Sequence, residues 1–247
     1  MSSLYSTLSD AYEAMYRTFI DYDDEFHFYH GVLQRYNKTA VLEIGCGTGN
    51  LAEKFHRHGL GYVGLDLSDS MLEIARKKNP QCCFRQGDMR SFTLPDHSDA
   101  AIITGRTLSY LITNDDVRTT FETIHKHLPA KGIVCFDFID ASRFIPSITP
   151  YQDITHRATS GLVHYRRDSR WTPNHSGNWN FDWHSTYFRS EADGNWREIG
   201  TDESTLRAFT RDDMSLFLTI AGFNVVEVLD RRSYAFDTLV FIAEKPA

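Results

Sequence analysis

Residues 41–50 are Val41-Leu42-Glu43-Ile44-Gly45-Cys46-Gly47-Thr48-Gly49-Asn50, a short apolar segment followed by glycine at every second position. Glycine adopts positive φ without strain and lets the backbone come close to a ligand. A helix that begins after such a loop presents free N–H groups and a partial positive charge to an anionic group. The stretch therefore predicts a strand, a ligand-binding loop and a helix in succession.

The spacing of these glycines distinguishes two classes of nucleotide cofactor. A dinucleotide fingerprint requires G-x-G-x-x-G, but Asn50 stands where its third glycine would fall. A second predicted strand, residues 61–65, ends at Asp66, whose carboxylate could accept hydrogen bonds from both ribose hydroxyls of either cofactor. A third, residues 81–86, runs into Gly87-Asp88-Met89, where a carboxylate can meet an adenine amino group. A nicotinamide dehydrogenase has no need of this third element.

Three segments together, residues 43–49, 66–72 and 86–89, resemble the class I S-adenosylmethionine-dependent methyltransferases in their order and spacing. Residues 128–133 are similar to the turn before the fifth strand of that family. Among its members, the chain is most similar to small-molecule enzymes, including amino-sugar N,N-dimethyltransferases and glycine-type N-methyltransferases. The resemblance implies S-adenosylmethionine as the cofactor and S-adenosylhomocysteine as its product.

The hydrophobic pattern predicts an α/β fold: a Rossmann-like, seven-stranded, mostly parallel sheet with helices on both faces. The chain is expected to form a single methyltransferase domain over residues 1–247. Its expected parts are N-terminal cap helices (1–36), a cofactor-binding core (37–149), an antiparallel β insert (150–208) and a C-terminal helix with the last two core strands (209–247). The resemblance also implies that the last strand is antiparallel between its neighbours.

The predicted insert differs in composition from the rest of the chain, because it contains all four tryptophans: Trp171, Trp179, Trp183 and Trp196. Apolar and polar residues alternate from Trp179 to His184, and the aromatic side chains of this run are expected to bury one face of the insert. Asp193-Gly194 predicts a hairpin turn within it. The resemblance implies that such an insert forms a lid over the substrate.

Composition excludes several classes of protein. The net charge is −7, and no long run of Lys or Arg is present, which argues against a nucleic-acid partner. No segment is long and apolar enough for a membrane span, and residues 1–5 lack the features of a secretory signal, so a cytoplasmic location is expected. His56 and His58 lie two residues apart on a predicted helix and diverge, which gives no metal site.

Several expected cofactor contacts have a plain structural alternative. Glu43 could orient the loop or bind the methionine amino group, and Met71 and Leu67 could flank the adenine or pack a helix. Met89 could cover the adenine ring or fill the core. Tyr5 and Tyr12 match an opening motif of the family, where the first helix closes over the cofactor, but an amphipathic helix would also show them. The expected cofactor-binding residues are Tyr5, Tyr12, Glu43, Gly45, Cys46, Gly47, Asp66, Leu67, Met71, Gly87, Asp88, Met89 and Thr104.

Methyl transfer requires an aligned nucleophile, exclusion of water and, for some acceptors, removal of a proton. The candidate catalytic residues are Tyr16, Arg106, Tyr110 and His184. Arg106 follows the fourth predicted strand, where it could hold a substrate carboxylate or phosphate, or form a surface ion pair. His184 is a candidate base if it faces the methyl group.

The sequence therefore predicts methyl transfer from S-adenosylmethionine to a small molecule, with an amine nitrogen as the first acceptor. The alternative is O-methylation of a small carboxylate- or hydroxyl-bearing metabolite. Arg106-Thr107 departs from the small, uncharged pair that amino-sugar enzymes tend to show, which indicates an acidic substrate. An NAD(P)-dependent oxidoreductase and a non-catalytic S-adenosylmethionine-binding module remain as readings from other classes. The expected state is a monomer or a homodimer.

Overall fold

The computed structural model describes residues 8–95, 98–148, 153–190, 194–233 and 236–247, which form a seven-stranded and a four-stranded sheet with flanking helices. The strands are β1 (Ala40–Ile44), β2 (Gly61–Asp66), β3 (Cys83–Gln86), β4 (Ala100–Ile103), β5 (Ile133–Ile139), β6 (Ile154–Ser160), β7 (Val163–Pro173), β8 (Asn180–Ser190), β9 (Arg197–Arg207), β10 (Asn224–Ser233) and β11 (Phe236–Glu244). The helices are α1 (Ser9–Phe19), α2 (Tyr22–Arg35), α3 (Ala52–Arg57), α4 (Asp69–Lys78), α5 (Asn114–His127), α6 (Ala141–Ser147) and α7 (Arg211–Ile220), with a short 3-10 helix at Thr107–Tyr110.

The larger sheet has the strand order β10-β11-β5-β4-β1-β2-β3. Strands β1 to β5 pair in parallel, whereas β11 is antiparallel to both β5 and β10. This arrangement confirms the predicted Rossmann-like sheet, including the reversed last strand. Parallel pairing brings the carboxyl ends of β1, β2, β3 and β4 to one edge, where ligands bind in open α/β sheets.

Both faces of this sheet are buried under helices. Successive side chains of a strand point to opposite sides and therefore pack in different apolar clusters. Leu42 and Ile44 pack on one face with apolar side chains of α5 and α7. Val41 packs on the other face with side chains of α2, α3 and α4. Every residue of β5 is buried, as expected for a strand covered on both sides. No helix in the described part of the chain is long and apolar enough to cross a membrane.

The smaller sheet is the predicted antiparallel insert, with the order β6-β7-β8-β9. Its inner face joins a third apolar cluster with α1 and α6, to which Phe181, Trp183 and Tyr187 contribute. Trp179 does not take part: its side chain is 51% exposed and its φ is +57°, so the regular alternation begins only after it. Asp193, half of the predicted turn, lies outside the described residues.

Helix ends are fixed by side-chain hydrogen bonds that satisfy free N–H groups. The N-cap of α5 is Thr113, whose hydroxyl accepts a hydrogen bond from the N–H of Asp116 at 3.1 Å. In α7, Thr210 and Asp213 form a reciprocal capping box. The two caps hold helices that cover one face of the larger sheet.

Candidate functional site

The glycine loop after β1 turns sharply and stays close to β2. Gly45, Gly47 and Gly49 have φ values of +75°, +53° and +70°, a region that favours glycine. A Cβ on Gly45 would lie 2.5 Å from Oγ1 of Thr107, whereas a Cβ on Gly47 would meet no atom within 4 Å. Gly45 is therefore required by close packing, and Gly47 borders open space.

That open space is a cavity of about 350 Å³ at the carboxyl edge of the larger sheet, a size suited to a small ligand. The loops after β1, β2, β3 and β4 form one side of it, while α1, α2 and β9 contribute the other. The cavity brings together most of the side chains and loop positions selected from the sequence. These are Tyr12, Tyr16, Glu43, Gly45, Cys46, Gly47, Asp66, Leu67, Gly87, Asp88, Met89, Thr104 and Tyr110.

Asp66 ends β2 and connects it to the glycine loop. Its Oδ2 accepts a hydrogen bond from the N–H of Gly47 at 2.8 Å, and its Oδ1 accepts one from the N–H of Ser68 at 2.9 Å. Burial raises the pKa of Asp66, and the hydrogen bonds oppose this shift. The carboxylate is thus held at the cavity wall in a fixed orientation.

Glu43 is a buried acid in the middle of the site. Its Oε2 accepts a hydrogen bond from the Tyr62 hydroxyl at 2.5 Å, and its Oε1 accepts one from the Thr104 hydroxyl at 3.4 Å. Burial raises the pKa of Glu43 to about 7, although both hydrogen bonds favour the ionised form. The charged form is therefore costly in the ligand-free protein, and a cation bound beside it would reduce that cost.

Replacing Glu43 with glutamine is expected to stabilise the ligand-free protein at alkaline pH. The folded-state pKa of Glu43 is raised, so its stabilising contribution is complete below pH 4.5 and is lost as pH rises through about 7. Glu43→Gln should therefore increase the free energy of unfolding by about 3 kcal/mol at pH 8 and by much less at pH 5. Urea unfolding at the two pH values measures this. An equal change at both would contradict the assigned pKa.

Asp88 lines the cavity at the end of β3 and is held there by an ion pair. Arg90 lies 2.6 Å from the Asp88 carboxylate and also contacts Asp116 at 2.8 Å. The hydrogen bonds from Arg90 lower the pKa of Asp88, so this acid is ionised at neutral pH. On the same wall Leu67 is 48% exposed, an apolar side chain available to a ligand.

Helix α1 is fastened over the glycine loop by one acid. Glu13 accepts hydrogen bonds from the Thr48 hydroxyl at 2.6 Å and from Lys78 Nζ at 3.0 Å, with Asn50 Nδ2 at 3.4 Å. On the adjoining face of the helix, the rings of Tyr12 and Tyr16 stack at a centroid distance of 4.0 Å and line the cavity. We call this set of Glu13 contacts the α1 fastening.

Two candidate catalytic residues lie away from the cavity lining. Arg106 is 7% exposed, has φ of +61°, and donates its backbone N–H to Asp137 at 2.8 Å. Its positive charge acts on the buried acids Asp137 and Glu25. The structure thus places this arginine against buried acids and outside the lining of the cavity, and the clamp on a substrate anion stays a prediction.

His184 lies on the outward face of β8, since its neighbours Trp183 and Ser185 are buried on the inner face. Its Nδ1 is 3.5 Å from a carboxylate oxygen of Glu203 on β9. The expected role as a base is therefore not supported. Met71 is fully buried within α4 and also does not line the cavity, which favours its packing role. Tyr5 lies outside the described residues.

The cavity also contains residues that were not selected from the sequence, among them Ile20, Tyr22, Glu25, Ser204 and Thr205. Glu25 is 4% exposed, and its Oε1 is 2.8 Å from Nη1 of Arg231. Burial raises its pKa to about 7. The sequence did contain a signal that Glu25 is buried, because Glu25 precedes the apolar residue Tyr29 by four positions and so shares the apolar face of α2.

Part of the chain is similar in sequence to known methyltransferases. Residues 41–132 match the family model described as a methyltransferase domain. A putative methyltransferase of Bacillus subtilis is 36% identical over 104 residues, which is 40% of this chain and 42% of the relative. The dTDP-3-amino-3,4,6-trideoxy-alpha-D-glucopyranose N,N-dimethyltransferase of Streptomyces venezuelae is 33% identical over 96 residues, 39% of this chain and 40% of the relative. The chain thus spans about two fifths of the length of these curated relatives.

Solved structures match over nearly the whole chain. An amino pentose methyltransferase from Micromonospora echinaspora, described as bound to S-adenosylmethionine, has a TM-score of 0.81 at 24% identity, covering 95% of this chain and 96% of its own. An S-adenosylmethionine-dependent methyltransferase from Clostridium acetobutylicum has a TM-score of 0.79 at 18% identity, covering 98% and 99%. At these identities the structural matches establish the fold, including the insert.

Proposed function

We propose that the chain is a class I S-adenosylmethionine-dependent methyltransferase and transfers a methyl group from S-adenosylmethionine to an amine nitrogen of a small molecule. The observation that carries the proposal is the convergence of the glycine loop, Asp66, Asp88 and Glu43 on one cavity. These groups suit the ribose, the adenine and the methionine ammonium of the cofactor. The oxidoreductase reading lacks such support, since Asn50 breaks its glycine pattern.

The residues present fit this cofactor. Gly47 leaves open room at the loop, where a side chain would intrude on a ligand, and Asp66 is fixed in place for a diol. Glu43, buried and costly to ionise alone, would hold the ammonium group. When bound, S-adenosylmethionine supplies an already activated sulfonium methyl. The protein then has to orient the acceptor, exclude water and manage one proton.

We propose that the acceptor binds on the side of the cavity formed by α1, α2 and the insert. Tyr16 and Tyr22 provide aromatic walls there, together with Tyr110 of the 3-10 helix that packs against β9, and Ser204 and Thr205 of β9 provide hydroxyl groups. The insert would act as the lid over this side. Since Arg106 does not line the cavity and its charge acts on the buried acids Asp137 and Glu25, it no longer argues for an acidic substrate. An amino sugar, the substrate class in the name of the Streptomyces venezuelae relative, therefore fits this chain.

We further propose that the protein acts in the cytoplasm on a metabolite rather than on nucleic acid, as a monomer or a homodimer. Its four cysteines are free thiols, which suits a reducing compartment. The net charge of −7 would repel a polyanion. Among the described residues, no group of three or more His, Cys, Asp or Glu side chains is arranged to hold a metal ion.

The proposal predicts that the purified protein methylates an amine in a defined panel. The panel would contain dTDP-3-amino-3,4,6-trideoxyglucose, other amino sugars and glycine, each paired with the counterpart that has a hydroxyl in place of the amine. Mass spectrometry should find methylated amine and one S-adenosylhomocysteine for each methyl transferred. Methylation of the hydroxyl counterparts alone would favour the O-methyltransferase. Cofactor binding without any turnover would indicate a binding module, and binding of NADH alone would overturn the proposal.

A further inference from the structure

A cluster of charged side chains lies beside the cavity, on the side that we assign to the acceptor. Its members come from four parts of the chain: Glu25 from α2, Asp137 from β5, Arg106 at the start of the 3-10 helix and Arg231 from β10. Glu25 is the member that lines the cavity. The cofactor residues instead follow β1, β2, β3 and β4, so Glu25 enters the cavity from a different element.

The positive partner of Glu25 is shared. Arg231 is 2.8 Å from Glu25 Oε1 through Nη1 and 2.9 Å from Asp24 Oδ2 through Nη2, and its guanidinium lies 4.2 Å from the Phe28 ring centroid. Asp24 is largely exposed, whereas Glu25 is almost completely buried. A single arginine shared by two acids leaves Glu25 able to gain from a further cation.

Asp137, the second buried acid of the cluster, also favours a further cation beside Glu25. Asp137 Oδ1 accepts the backbone N–H of Arg106, but its Oδ2 is buried without a hydrogen-bond partner among the described residues. The hydroxyl of Tyr29 on α2 is also buried without such a partner in the described structure. The negative charge of Asp137 acts on Glu25, as do the positive charges of Arg231 and Arg106. Counted with Asp24, the cluster has three acids and two arginines, so a cation bound at the point where α2 meets the cavity would balance its charge.

We propose that Glu25 receives the amino group of the acceptor: its carboxylate binds the ammonium form and removes one proton from it. One N–H bond breaks and one O–H bond forms on Glu25, and the electron pair of the N–H bond stays on nitrogen as the nucleophile. The proton on Glu25 later passes to water. This inference rests on the proposed function, because it assumes that an amine is the acceptor.

The ionisation of Glu25 suits this role. Burial raises its pKa to about 7, with Arg231 and Arg106 opposing the shift and Asp137 adding to it. A carboxyl that titrates near neutral pH is a better proton acceptor than an ordinary surface glutamate. An ammonium ion beside it replaces the water lost on burial. The same buried acid can thus select the amine and deprotonate it.

The test compares Glu25→Gln with Asp24→Asn, which removes the other acid from the same arginine without changing the cavity lining. For the best amine of the panel, Glu25→Gln should lower kcat/KM by about 100-fold. The affinity of Glu25→Gln for S-adenosylhomocysteine should stay within about twofold of the wild type. Asp24→Asn should change neither kcat/KM nor this affinity by more than about twofold. If Glu25 serves only as an ion pair, both variants would lower Tm and leave the chemistry alone.

The pH dependence of kcat/KM distinguishes the two roles, because a purely structural Glu25 would not change it. In the wild type, kcat/KM should fall as pH drops below about 7, because Glu25 becomes protonated. In Glu25→Gln, activity should keep rising up to the pKa of the free amine, since only neutral amine from solution can react. The wild type should also bind the amine at least about tenfold more tightly than its hydroxyl counterpart, and Glu25→Gln should lose that preference.

A wild-type measurement covers the case in which Glu25→Gln does not fold. At pH 6, binding of the amine to the complex with S-adenosylhomocysteine should release close to one proton, because Glu25 must ionise to pair with the ammonium. The hydroxyl counterpart should release none. Calorimetry in two buffers with different heats of ionisation gives the number of protons released on binding of each ligand. Equal proton release for the two ligands would overturn the role of Glu25.

The outcomes separate the two proposals. If the wild type methylates no amine of the panel, the proposed function fails, and the role of Glu25 fails with it. If the wild type methylates an amine, while Glu25→Gln keeps the amine preference and the fall in activity below pH 7, only the role of Glu25 is overturned. Loss of both features, with cofactor affinity retained, supports it.

Discussion

Replacing Asp66 with alanine is expected to weaken S-adenosylmethionine binding by at least about 100-fold, which corresponds to about 3 kcal/mol. Two effects add. The variant removes a carboxylate placed to accept hydrogen bonds from the ribose. It also leaves the N–H groups of Gly47 and Ser68 without the hydrogen bonds that they donate to Asp66. The glycine loop would then lose one of its contacts with β2 and keep the backbone hydrogen bonds from Gly45 and Cys46 to the Leu65 carbonyl. Isothermal titration with the cofactor measures the effect.

Two further variants separate these contributions. Asp66→Asn keeps one acceptor oxygen and should lose less affinity than the alanine variant. Asp69→Ala serves as the control, because Asp69 pairs with Arg76 on the exposed side of α4 and does not line the cavity. Its affinity for the cofactor should match that of the wild type. Wild-type affinity in Asp66→Ala would mean that the cavity does not bind the cofactor as proposed.

The second large effect is expected for Gly45→Ala, which should lower both folding stability and cofactor affinity. The new Cβ would sit 2.5 Å from Thr107 Oγ1 and 2.6 Å from its Cγ2, at a backbone φ of +75°. Left-handed strain and overpacking each cost about 1–3 kcal/mol, so the free energy of unfolding should fall by about 2–6 kcal/mol. Urea unfolding and cofactor titration measure the two losses.

Gly47→Ala is the matched comparison within the same loop. Its φ is +53°, but its Cβ would meet no protein atom within 4 Å, so only the backbone strain of about 1–2 kcal/mol should remain. Its methyl group would project toward the cavity and should still reduce cofactor affinity. Adding Thr107→Ala to Gly45→Ala should recover part of the lost stability. No recovery would show that the clash with Thr107 is not the cause.

Local patterns predicted the sheet well, because its main determinants lie close together in the sequence. The apolar strands, the glycines at 45, 47 and 49, and the acids that end β2 and follow β3 are all short-range features, and parallel pairing brings them to one edge. The catalytic assignments depend on side-chain direction. Arg106 has a left-handed backbone and is buried, which spacing alone does not reveal.

Two differences between the predicted and the observed site have different physical origins. The outward direction of His184 was available from the alternation of β8, because a residue next to the buried Trp183 must face the opposite side. The environment of Glu25 was not available in the same way, since Arg231 and Asp137 lie more than a hundred residues away in the chain. Burial and shared counter-charge, which give Glu25 its chemistry, are properties of the folded chain. The roles of the site residues stay predictions until the variants are measured.

The α1 fastening has a consequence for the kinetics of exchange. Glu13 binds Thr48 and Asn50, which line the cavity, so α1 cannot lift without breaking hydrogen bonds to the cavity wall itself. Any ligand that enters or leaves between α1 and the glycine loop would have to break these contacts. The Glu13–Lys78 pair is partly exposed, and salt screens such pairs. Ionic strength would therefore act on residence time, even with the chemical step unchanged.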